Sequence, residues 1–74
     1  MLTSLAQDLV AYENGELSTL QVLELFGQLI RQDLLWNLQG SYGRAGWAMI
    51  EQGLLDPETG NVTDYAIERL AEMS

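Results

Sequence analysis

Apolar residues recur along most of this chain at helical spacing. Leu5, Leu9 and Tyr12 follow the i, i+4, i+7 rule, with Thr3 or Ser4 placed to cap the helix they define. Asn14-Gly15 ends that helix, because glycine takes the left-handed conformation of the C′ position without a Cβ clash. Ser18 and Gln21 form a capping box for a second helix. Its face is Leu20, Leu23, Phe26 and Ile30, widened by Val22, Leu25 and Leu29. An apolar arc that wide predicts the central helix of the domain.

Arg31-Gln32-Asp33 is a polar break. Leu34, Leu35, Trp36 and Leu38 then predict a short third helix ended by Gly40. Ser41 is the expected cap of a fourth, running through Tyr42, Trp47, Met49 and Ile50 to a Gly53-Leu54 Schellman ending. Gly43 and Gly46 inside it each cost about 1 kcal/mol against alanine. That cost predicts close approach by another backbone or by an aromatic ring.

Asp56-Pro57-Glu58-Thr59-Gly60 is the strongest turn cluster. Leu54-Leu55 and Asn61-Val62 flank it and are placed to pair as a minimal β-hairpin over residues 54–62. Thr63 caps a last helix, with Val62 and Ile67 at the positions of a hydrophobic staple. Ala66, Ile67, Leu70 and Ala71 are its expected buried face. The expected architecture is all-α: one domain over residues 1–74, a compact bundle of four to five short helices.

The composition narrows the chemistry. There is no Cys, no His and no Lys, and eleven Asp and Glu stand against three Arg, for a net charge of −8. Most nucleophilic, acid–base and metal-ligand side chains are therefore missing, which argues against an enzyme and against any cofactor or metal. Direct binding to nucleic acid needs clustered cations for counterion release, so none is expected. Anionic membranes are excluded by the same charge. No apolar run approaches the roughly 20 residues of a membrane span. Met1-Leu2-Thr3-Ser4 also lacks the positive start of a signal peptide. An apolar fraction of 47% is ordinary for a globular chain. In so small a domain it leaves self-association into a homo-oligomer open beside a monomer.

Three chemical motifs fail on inspection. Aligning Gly15 with position 6 of a calcium loop puts Val10, Tyr12 and Gln21 where oxygen ligands belong. Asp33, Glu51 and Glu24 have no second feature that would make them a catalytic pair. Gly40-Ser41-Tyr42-Gly43-Arg44 lacks the lysine and the preceding strand of a phosphate loop. It reads as a tight corner in which Arg44 pairs Glu51 or Asp33.

Two features could touch a partner. Asp64, Glu68 and Glu72 make an i, i+4, i+8 acidic stripe, with Asp56 and Glu58 nearby. At roughly 6 Å per step the stripe alone is sparser than the 3.4 Å axial phosphate spacing of one DNA strand. Trp36 and Trp47 flank the glycine corner, either as core or as interface anchors.

The segments Ala11-Tyr12-Glu13-Asn14-Gly15-Glu16 and Trp36-Asn37-Leu38-Gln39-Gly40-Ser41-Tyr42-Gly43-Arg44, with the apolar helix between them, carry a resemblance over about residues 9 to 55. They resemble a family of small proteins of unknown function encoded by tailed bacteriophages. In that family the position of Ser41 is often His, so no catalytic role is implied there. The resemblance implies a phage accessory protein that binds, and inhibits or redirects, a host protein in the host cytoplasm. Charge adds that the target surface is basic. On this reading Trp36, Gln39, Tyr42, Arg44, Trp47, Asp64, Glu68 and Glu72 are the candidate contact residues. Two alternatives stand beside it: a DNA mimic that inhibits a nucleic-acid-binding host protein, and a structural component of a virion or oligomer.

Overall fold

The computed structural model describes residues 5–38 and 40–73. It is all-α: α1 (Leu5–Glu13), α2 (Thr19–Arg31), a 3₁₀ turn (Leu35–Asn37), α3 (Gly40–Glu51) and α4 (Asp64–Met73). The expected caps of α1, Thr3 and Ser4, lie outside the described residues.

Helix α2 is the centre. Leu23, Leu25, Phe26 and Leu29 are all buried on it. Its start is a complete capping box: the Gln21 amide donates to Ser18 Oγ at 3.2 Å, and the Ser18 amide donates to Gln21 Oε1 at 2.8 Å. Leu20 was expected in the core face but is 43% exposed. The apolar arc of α2 is wider than a domain of this size can cover.

Three helices end in the same way. In a Schellman ending two amides past the helix turn back to its last carbonyls. After α1, Glu16 and Gly15 donate to Ala11 and Tyr12 at 2.9 and 3.1 Å. After α3, Leu54 and Gly53 donate to Met49 and Ile50 at 2.9 and 3.0 Å. After α2, Leu34 and Asp33 donate to Leu29 and Ile30 at 2.8 and 3.0 Å. The left-handed residue in that third case is Asp33, at φ 57°, and not a glycine. Asp and Asn tolerate this region better than other side-chain-bearing residues.

The third helix is shorter than expected, a single 3₁₀ turn. Gly40 does not end it; Gly40 opens α3, and Ser41 sits inside the first turn of α3 instead of capping it. The minimal hairpin is present as one antiparallel bridge, Leu55 to Val62. Asp56 Oδ1 accepts from the amides of Glu58 and Thr59 at 2.8 and 3.2 Å, which folds the turn around its own carboxylate. Thr63 caps α4 through Oγ1, which accepts from the Ala66 amide at 3.1 Å. The same hydroxyl donates to the Gly53 carbonyl at 2.6 Å and so ties the start of α4 to the end of α3. Of the expected buried face of α4, Ala66 is enclosed and Leu70 is half-buried, but Ile67 is 53% exposed and Ala71 is also exposed.

The core is completed by Leu35, Tyr42 and Leu55. Tyr12, Phe26 and Tyr42 bring α1, α2 and α3 together, with ring centroids 5.2 to 6.1 Å apart. The Tyr42 hydroxyl donates to Glu13 Oε1 at 2.7 Å. Burial first, then the Glu13 hydrogen bond and its charge, push the Tyr42 phenol from 10.0 up to about 12. A raised phenol pKa means that the fold favours the protonated form. That contribution is whole below pH 10 and is lost as pH climbs toward 12. Urea midpoints measured at stepped pH should fall across this window, and Tyr42→Phe should remove that part of the fall.

Candidate functional site

The site grows from two of the three glycines of α3, Gly43 and Gly46. A Cβ on Gly46 would stand 2.5 Å from Leu35 Cδ2, so the absence of a side chain there is what lets Leu35 reach the core. A Cβ on Gly43 would stand 3.8 Å from Trp36 Cε3, an ordinary contact distance. The expected close approach is therefore made by the 3₁₀ turn, with an aliphatic side chain against one glycine and an aromatic ring over the other. Leu35 is pulled inward, and its neighbour Trp36 lies across the outside of α3.

Trp36 meets Trp47 there. Their ring centroids are 6.4 Å apart at 61°, an edge contact. Trp36 is 54% exposed and Trp47 is 52% exposed. The pair forms an aromatic ridge on the surface, and neither indole belongs to the core. Indole rings in this setting combine a large apolar body with an accessible π-face, and they bind without ordering a long flexible chain.

The other candidate residues are not all at this ridge. Tyr42 is 8% exposed and its hydroxyl is taken by Glu13, so it is a packing residue and not a surface contact. Its buried ring closes the aromatic cluster, so the contact role that the resemblance implied for it does not hold. Arg44 is exposed, and its Nη1 turns back over the start of α3, 3.3 Å from where a Cβ on Gly40 would stand. Gln39 lies outside the described residues. Asp64 and Glu68 lie exposed on α4, as does Glu72. Asp56 is half-buried, and one of its carboxylate oxygens is committed to its own turn.

Sequence reasoning missed a groove of about 380 Å³ between α2, the end of α3 and α4. Leu23, Leu54, Ala66 and Leu70 line it, with Tyr65 and Arg69 also on its wall. The Arg69 guanidinium lies 5.9 Å from the Tyr65 ring centre. The i, i+4 spacing of these two residues was the available signal.

Little here resembles acid–base machinery. Asp33, Glu51 and Glu24 are all exposed. The raised phenol of Tyr42 moves away from the near-neutral range that proton transfer needs. Among the described residues, no three Asp or Glu are grouped to hold a metal ion. No helix among them is long and apolar enough to cross a membrane.

A family model described as Domain of unknown function (DUF7417) matches residues 1–74, and the chain belongs to that family. No curated protein and no solved structure matches it.

Proposed function

We propose that this DUF7417 member is a non-enzymatic phage accessory protein that binds a host protein and inhibits or redirects it. The observation that carries the proposal is the pair of half-exposed indoles, held edge to edge on α3 and the 3₁₀ turn. Trp is among the residues that dominate binding energy at protein interfaces. A net charge of −8 would steer the encounter with a basic target and speed association. The likeness of residues 9 to 55 to small tailed-phage proteins supports the origin.

The test is affinity capture from host lysate with the full chain as bait. One protein should be retained in stoichiometric amount, and Trp36→Ala/Trp47→Ala should reduce its retention by about 30-fold or more, the scale of one interface hot spot. Recovery of no partner at low salt would overturn the proposal. Loss of binding in Asp64→Asn/Glu68→Gln/Glu72→Gln, with the indole variant still active, would favour DNA mimicry instead.

A further inference from the structure

We infer that the Trp36–Trp47 ridge receives arginine side chains, so that the segment it takes from a partner is basic and arginine-bearing. This rests on the binding reading above and names the chemistry of the occupant. Its ground is an imbalance inside the chain. Three arginines serve eleven acids, and among the described residues none of the three stacks on an indole. Arg31 Nη1 donates to Asn61 Oδ1 at 3.5 Å. Arg69 lies over the Tyr65 ring. Arg44 Nη1 lies beside Gly40 at the start of α3. Indole is the best cation acceptor among the aromatic side chains. Among the described residues, both indoles are left without a guanidinium of the chain's own.

The surroundings favour a cation. Glu51 follows Trp47 by one helical turn and is exposed. Residues so spaced have Cβ atoms about 5–6 Å apart. Asp33, also exposed, lies just before the 3₁₀ turn, where its carbonyl accepts from the Asn37 side chain at 3.4 Å. A cation on the Trp47 face therefore has a carboxylate within reach, and the net negative field raises the local concentration of basic ligands. Arginine suits the ridge better than lysine. Its guanidinium is planar, stacks on rings and is more weakly hydrated. A second copy of this chain would bring eight more net negative charges, so like charge opposes it as the occupant.

The experiment is isothermal titration of the full chain with a capped hexa-arginine peptide and with hexa-lysine of equal charge. It is run at about 0.15 M salt, where interactions beyond roughly 8 Å are largely screened. Hexa-arginine should bind more tightly than hexa-lysine. Trp36→Leu/Trp47→Leu should weaken the arginine peptide about tenfold. Removing three charges on α4 through Asp64→Asn/Glu68→Gln/Glu72→Gln should weaken it much less. Both indoles are half in water, so the variant is expected to fold, which its circular dichroism checks. Equal affinity of the wild type and the indole variant would overturn the inference. So would hexa-lysine binding as tightly as hexa-arginine. Failure of lysate capture with this titration intact would remove the host-protein reading and leave the arginine site standing. Capture that is lost with the indole substitutions, while the wild type binds neither peptide, would do the reverse.

Discussion

Gly27→Ala should destabilise the protein by about 2–3 kcal/mol, although alanine is the better helix former by about 1 kcal/mol. The two backbones leave no choice. A Cβ on Gly27 would overlap the carbonyl oxygen of Gly60, and a Cβ on Gly60 would overlap the carbonyl oxygen of Gly27. Neither obstacle is a side chain that can rotate away. Overpacking of this kind costs roughly 1–3 kcal/mol and more where backbone must move. Gly60→Ala should cost at least as much, because Gly60 also holds φ +74°, a left-handed conformation that costs other residues about 1–2 kcal/mol. At roughly 0.05–0.15 kcal/mol per residue, a chain of 74 residues has only about 4–11 kcal/mol of stability to lose. Urea denaturation followed by circular dichroism measures both variants. The sign is diagnostic: a Gly27→Ala protein more stable than the wild type would show that the turn does not rest on α2.

Leu35→Ala should cost about 2–5 kcal/mol, the range for emptying a fully buried aliphatic site. Gly46→Ala should also destabilise, since its Cβ would press on three atoms of Leu35, at 2.5, 3.2 and 3.3 Å. The two changes should not add. In the double variant the new methyl on residue 46 enters space that Leu35 has vacated, so the combined loss should fall short of the sum by about 1 kcal/mol or more. Denaturation of the two single variants and the double variant closes this cycle. Strict additivity would mean that Leu35 and Gly46 do not share one volume.

Much of the fold could be read from local pattern. The capping box, two of the three Schellman endings, the turn at Asp56 and the Thr63 cap all depend on residues a few positions apart. What escaped depends on distance or on competition. The polar break at Arg31-Gln32-Asp33 does end α2, but its Schellman form was hidden because Asp33 holds a role that is normally glycine's. Gly40 was read as a stop, but it starts a helix. Gly27 drew no notice because its reason for being glycine is Gly60, which no local rule reaches. Leu20 and Ile67 were assigned to the interior by periodicity. Periodicity identifies an apolar face, but a small core decides how much of that face is covered.

The site was legible in the same uneven way. The glycines of α3 announced a close neighbour, and the structure supplies Leu35 and Trp36. Whether the indoles faced inward or outward was undecidable from composition, because tryptophan serves both roles. Tyr42 was open between corner packing and partner contact, and the hydrogen bond to Glu13, 29 residues away, decides for packing. The acidic stripe of α4 was read correctly as exposed, but Asp56 spends a carboxylate oxygen on its own turn.

Both tryptophans of the chain sit at one spot, and this gives the protein a built-in optical label. Intrinsic fluorescence excited in the indole band comes from the ridge alone and is silent about α4. A ligand landing there should change emission without any dye, whereas one occupying the groove beside Tyr65 and Arg69 should leave it nearly unaltered. The colour of the emitted light thereby sorts two faces of an otherwise featureless acidic surface.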